Sequence, residues 1–199
     1  VGQLSAGVRY ELVGFEYQDF NNVANDLSRK YSNFFPTVSI AQAFGPVQLQ
    51  LIYSMKTSRP SFQNLSDNLS YHSKFMLQSG NAKLQPQTTQ QLSLTSRWNF
   101  ITAILQYSRT DDAIVSWAIP YNDAGVVLAK PVNLVDPFRS LQWYLNFSPS
   151  IGIWTLNYTA GMMHQWLNVD MKQQVGFGDD KVVSFCLLYT SPSPRDRTR

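Results

Sequence analysis

The chain has 199 residues, 44% of them hydrophobic and 14% aromatic, which excludes a disordered polypeptide and leaves enough apolar material for a sizeable covered surface. Charged residues account for only 15%; Gln, Asn, Ser and Thr carry the polarity instead, unlike the solvated surface of a cytosolic protein. The formal net charge is +3, but Cys186 to Arg199 contributes three Arg and one Asp, and without it 13 basic residues face 12 acidic ones. No basic stripe then remains to neutralise phosphates, which argues against a nucleic-acid partner.

No run approaches the ~18 consecutive apolar residues of a membrane-spanning helix. The dominant signal is alternation with period two, the mark of half-covered strands. Val1 to Tyr17 already reads as the inside of a strand and holds no leader segment, so the natural start is expected upstream. In it Leu4, Ala6, Val8, Tyr10 and Leu12 oppose Ser5, Gly7, Arg9 and Glu11. A weaker strand is expected from about Asn33 to Ala43, followed by the turn Phe44-Gly45-Pro46. Val47, Leu49, Leu51, Tyr53 and Met55 then oppose Gln48, Gln50, Ser54 and Lys56, with Ile52 the apolar exception. After a long link, Leu92 and Leu94 alternate with Gln91, Ser93, Thr95 and Arg97 up to a turn at Trp98-Asn99. Ile101, Ala103, Leu105 and Tyr107 continue the pattern, as do Leu141, Trp143, Leu145 and Phe147. Past the turn Ser148-Pro149-Ser150, one strand is expected to carry Trp154, Leu156, Tyr158, Ala160 and Met162 on its apolar side.

These segments are about as long as the ~9–11 tilted residues that cross a hydrocarbon layer. The turns are short at every second connection, and the others are long, at about 18–31, 57–87, 118–136 and 166–180. Outer-membrane barrels alternate short periplasmic turns with long outer loops, whereas a soluble sandwich has no reason to. Strands 1, 3, 5 and 7 would run outward. Aromatic girdles are expected near the turns (Phe44, Trp98, Phe100, Phe147, Trp154) and near the loops (Phe15, Tyr17, Trp117, Phe138). The fold class is therefore all-β, an antiparallel up-and-down transmembrane β-barrel fragment of about seven to eight strands forming an open curved sheet. Residues 1–185 are expected to be this partial barrel.

The end differs in kind. Leu188 to Arg199 is a Ser/Pro/Arg run without periodicity that resembles a translated cloning adapter, so 186–199 is expected to be a non-native tail, unpaired from about Leu188 onward. The only cysteine, Cys186, falls in it, leaving the body without disulfides or thiolate metal sites.

Tyr31 to Ser39 and Leu51 to Leu65, with Ser79-Gly80-Asn81-Ala82-Lys83-Leu84-Gln85-Pro86-Gln87 and Gly7-Val8-Arg9-Tyr10-Glu11, resemble the Bacteroidetes-type outer-membrane β-barrel family related to TonB-dependent receptors. Ala82 and Gln87 depart from the family's usual Pro and Glu in that loop signature. The resemblance implies substrate uptake through a large barrel, occluded by a plug domain and driven by a TonB-type energy-transducing protein. The other readings are a passive or structural outer-membrane barrel and a soluble β-rich binding module. An upstream plug and TonB-box-like segment would separate the first two, and partitioning into detergent would separate both from the third.

Register predicts that Ser5, Arg9, Glu11, Gln48, Gln50, Lys56, Gln142 and Asn157 face the lumen, and that Leu4, Val8, Leu49, Leu51, Leu105, Leu145 and Leu156 face outer-membrane lipid. Arg59, Pro60, Gly80, Asn81, Leu84 and Pro86 are expected to shape a loop. Arg59-Pro60 would end a strand, Gly80-Asn81 would turn with positive φ, and Pro86 would restart the chain. No catalytic residue, cofactor or metal site is expected: His72 and His164 lack ligand spacing, and Asp111-Asp112 and Asp179-Asp180 lack a calcium-loop pattern. Eight strands are too few to close a plugged barrel. The isolated chain should need detergent, because its apolar face exceeds what soluble monomers leave exposed.

Overall fold

The computed structural model describes residues 2–18, 27–122, 125–152, 154–169 and 180–190. Its strands are β1 (Gly2–Tyr17), β2 (Leu27–Phe44), β3 (Val47–Ser58), β4 (Ser70–Ser73), β5 (Met76–Gln78), β6 (Gln87–Trp98), β7 (Ile101–Asp111), β8 (Ile114–Pro120), β9 (Val127–Asn133), β10 (Phe138–Phe147), β11 (Ser150–Ile151), β12 (Trp154–Thr155), β13 (Tyr158–Val169) and β14 (Asp180–Thr190), with one short helix, α1 (Phe62–Leu65). The main sheet has eight strands in the order β1-β2-β3-β6-β7-β10-β13-β14, and each neighbouring pair is antiparallel. It is open, with β1 and β14 as its edges.

Register makes the sheet two-faced. One cross-strand row runs Leu4, Ile40, Leu51, Leu94, Leu105, Trp143, Met162. Two further rows, on the opposite face, run Ser5, Ser39, Ile52, Ser93, Gln106, Gln142, Met163 and Gln3, Ala41, Gln50, Thr95, Ile104, Tyr144, Gly161. Since side chains alternate strictly along a strand, this pairing sets a largely apolar face against a largely polar one from β1 to β13. Nothing among the described residues covers the apolar row: Leu4 is 72% exposed and Val8 69%. Gly161 has a local cause, because a Cβ there would stand 2.5 Å from the Tyr144 ring lying over it.

At the turn end, Phe44, Val47, Trp98, Ile101, Phe147 and Tyr158 form one row of the apolar face. Phe100 stands edge-on to Phe147 at 5.1 Å. The expected loop-end girdle is corrected. Phe15 and Phe138 share parity with Glu11 and Ser140 and so belong to the polar face, while Trp117 lies in β8, outside the main sheet. The apolar face carries Tyr10, Phe34, Tyr107 and Trp166 near that end instead. The side chains of Tyr17 and Trp154 lie outside the described residues.

Two turns are tight, with Gly45 (φ 58°) and Asn99 (φ 48°) supplying the left-handed residue that a two-residue connection needs. The third connection is longer than expected. β11 and β12 form a small hairpin of their own, and β13 starts only at Tyr158. Leu156 and Asn157 therefore stand outside the ladder, contrary to the continuous strand expected from Trp154. β2 begins at Leu27 rather than near Asn33. β14 stays paired with β13 up to Thr190, so the chain does not leave the sheet at Leu188; residues 191–199 lie outside the described residues.

The largest correction concerns the long links. Parts of 59–86 and 112–137 form a second sheet in the order β4-β5-β9-β8, with β5 and β9 parallel. Its strands are too short and interrupted for period-two counting to reveal. Among the described residues, the buried apolar side chains other than Phe35 gather here: Leu65, Ala82, Leu84, Ala113, Ala129, Val132 and Leu134. Among the described residues the main sheet thus buries only a few scattered side chains, such as Phe35, Thr110 and Ser140, and the loops hold the larger core.

Candidate functional site

The polar face has two distinct regions. Near the loop end, Glu11 accepts from Arg9 at 3.0 Å and from Arg59 at 2.5 Å, linking β1 to the residue just past β3. Arg9 lies over the ring of Phe35, 5.3 Å from its centroid. All three charged side chains retain solvent contact, so each pair contributes only about 0–1 kcal/mol and mainly fixes side-chain positions. Near the turn end a polar hollow of about 330 Å³ is lined by Gln3, Gln48, Gln50, Thr95 and Arg97, with Ala41 and Ala43 leaving the space open. Lys56 and Gln142 share this face by register. Asn157, outside the ladder, accepts from the Asn146 amide at 2.7 Å.

The second element of the site is a seat between the loops. β2 pairs with β3 only from Thr37 to Phe44, which leaves the upper β1–β2 hairpin free of β3. The signature loop closes toward that gap: the Arg29 guanidinium donates to the Leu84 carbonyl at 3.0 Å. Arg59 and Pro60 follow the last residue of β3, and Pro86 directly precedes β6, as expected where a proline brings no ladder donor. An apolar cavity of about 260 Å³ lies between the hairpin and the loop, with Tyr31, Val13, Leu65, Leu84 and Pro86 in its wall.

Gly80 serves differently from the expectation. It is absent from the positive-φ residues of the described chain. A Cβ there would stand 2.3 Å from the Ser66 carbonyl oxygen, 2.7 Å from that of Asn64 and 2.8 Å from that of Gln63. The Gly80 amide donates to the Ser66 carbonyl at 2.9 Å. Glycine is required for close backbone approach rather than for a left-handed turn. Gly80→Ala should therefore dislodge the loop, at a cost of about 3 kcal/mol or more, read as accelerated proteolytic cleavage between residues 59 and 86. Wild-type protection in that variant would refute the packing argument.

Asn81 is buried, donating to the Pro131 carbonyl at 3.0 Å and accepting from the Lys83 amide at 3.0 Å. Its counterpart, which sequence reasoning missed, is Asn133. This fully buried side chain accepts from the Gln85 amide at 2.8 Å and donates to the carbonyls of Gln85 at 3.0 Å and Asp112 at 2.8 Å. The one sequence clue was a polar residue placed between Val132 and Leu134. Arg29 and Phe35 were missed too; Phe35 is 3% exposed although it lies on the polar face.

Chemically, this arrangement can donate and accept hydrogen bonds and present charge along a wall. Among the described residues, no group of three or more His, Cys, Asp or Glu is placed to hold a metal ion. His72 belongs to β4, and His164 lies on the apolar face against Trp166, with ring centroids 4.2 Å apart.

Long strands, two tight turns, an uncovered apolar face and a polar opposite face define the wall of an outer-membrane β-barrel. The model of the outer membrane protein beta-barrel family matches residues 3–190, and the chain belongs to that family. No curated protein matches it. Among solved structures, it is similar to the siderophore receptor PirA from Pseudomonas aeruginosa, with a TM-score of 0.53 and 14% identity over 84% of this chain and 34% of that one. It is also similar to a double mutant of the Serratia marcescens hemophore receptor HasR, in complex with its hemophore HasA and heme, with a TM-score of 0.53 and 18% identity over 84% of this chain and 32% of that one. The chain thus spans about a third of the length of these receptors, and the likeness extends to the fold. Its place is the bacterial outer membrane.

Proposed function

We propose that this chain forms part of the barrel wall of a TonB-dependent-receptor-like importer, with Ser5, Arg9, Glu11, Gln48, Gln50, Lys56, Gln142 and Asn157 on the lumen side and Leu4, Val8, Leu49, Leu51, Leu105 and Leu145 against lipid. The observation that carries this reading is the register, which keeps Arg9 and Leu49 on opposite faces of one continuous sheet. A polar inner wall suits a lumen that a folded plug domain fills, since the plug's surface needs hydrogen-bonding partners that lipid lacks. The hollow between Gln3, Gln48, Gln50 and Arg97 offers such partners at the turn end, the side from which a TonB-type protein would act. The wall itself has no catalytic role in this reading.

Single cysteines test the assignment in a Cys186→Ser background. Those placed at Gln50 and Gln142 should react with a membrane-impermeant maleimide in the bilayer-embedded protein. Those at Leu49, Leu51 and Leu105 should be protected and quenched by spin-labelled lipid. Equal labelling at positions 49 and 50 would sink the proposal.

A further inference from the structure

At the loop end of the apolar face a cleft of about 430 Å³ is bounded by Tyr107 of β7, Arg139 of β10, Trp166 and Asn168 of β13, and Asp136 just before β10. Its chemistry differs from the aliphatic row beside it. Trp166 is 40% exposed and Tyr107 37%, and the Trp166 ring rests against His164, with centroids 4.2 Å apart. Arg139 is the ladder partner of both Trp166 and Arg109. Arg109 is already satisfied by two bonds to the Asp111 carboxylate, at 3.1 and 3.0 Å, whereas Arg139 has no ion pair among the described residues. The Asn168 amide donates to one carboxylate oxygen of Asp136, yet its own Oδ1 is buried with no hydrogen-bond partner among the described residues. A buried acceptor without a donor calls for a ligand that brings one.

We infer that this cleft binds the pyranose headgroup of a membrane glycolipid. Aromatic faces take the C–H face of a sugar ring, and a carboxylate, an amide oxygen and a guanidinium at the cleft edge match hydroxyls that both donate and accept. The Asn168 oxygen needs a donor, which a bare phosphate ester cannot supply, and Asp136 repels such an anion. A purely apolar ligand would leave every one of these polar groups unmatched. The lipid source follows from position. The cleft opens on the same face as Leu105, Trp143 and Met162, at headgroup height if that face meets lipid, so this inference rests on the membrane assignment proposed above.

The test reconstitutes the chain in nanodiscs of phosphatidylcholine containing a minor share of monoglucosyl diacylglycerol and reads the retained lipids by native mass spectrometry. The glycolipid should be enriched on the protein over its share of the bilayer. Trp166→Ala and Asp136→Asn should each weaken that enrichment about tenfold, the worth of one lost ring or charge-assisted contact, while Trp166→Phe keeps most of it. Enrichment that survives both variants, or retention of phosphatidylcholine alone, overturns the site. Displacement of the lipid by methyl glucoside in solution overturns the lipid source. Loss of all bound lipid together with maleimide labelling at Leu51→Cys would show that the membrane assignment had failed, separately from the cleft.

Discussion

Replacing Leu51 with Arg should destabilise the bilayer-embedded protein by about 2–4 kcal/mol, whereas Gln50→Arg, one residue earlier, should change it by less than about 1 kcal/mol. Leu51 lies in the middle of the row from Leu4 to Met162, so the new guanidinium would enter the apolar layer between Ile40 and Leu94. Gln50 points to the other face, beside Thr95 and Ala41, into the polar hollow. The measurement is reversible denaturant unfolding from lipid vesicles, followed by tryptophan fluorescence. Equal penalties for the two variants would mean that both faces meet the same medium, and would revive a water-soluble sheet.

Asn133→Ala should loosen two loops at once, at a cost of about 2–4 kcal/mol to the loop core. Truncation strands the Gln85 amide and the carbonyls of Gln85 and Asp112, all bonded to this one side chain, and a buried backbone group left without a partner costs roughly 1–3 kcal/mol. The barrel strands should persist, because their ladders do not depend on Asn133. Hydrogen exchange should therefore rise in 79–87 and 112–134 while β3, β6 and β7 keep their protection. Asn133→Leu should be no better, since an isosteric apolar side chain still leaves three backbone groups unmatched. Unchanged exchange in both segments would show that the network is incidental.

These two variants also mark where sequence reading works. Gln50 and Leu51 could be assigned to opposite faces from the amino acids alone, because period two is a property of one strand and survives any partner. Arg59-Pro60 and Pro86 were legible as strand limits, since proline brings no N–H donor to a ladder, although Pro36 is carried within β2 opposite Val8. Phe34 and Phe35 were not separable by type: both are aromatic, yet one is 63% exposed and the other 3%. Only the pairing of Phe35 with Arg9 and its place beneath the cation decide that.

Composition and alternation by themselves determined an all-β membrane wall, its strand phase and its tight turns, since each follows from neighbours two residues apart or fewer. Tertiary structure alone decided that the long links form a second sheet, that Gly80 yields to three carbonyls rather than to a left-handed turn, that Phe15 and Phe138 turn away from the apolar face, and that β14 stays paired up to Thr190. Asn133 and Gln85 are 48 residues apart along the chain. No local pattern records such an approach, because the buried polar groups that require it meet only after the strands between them have paired.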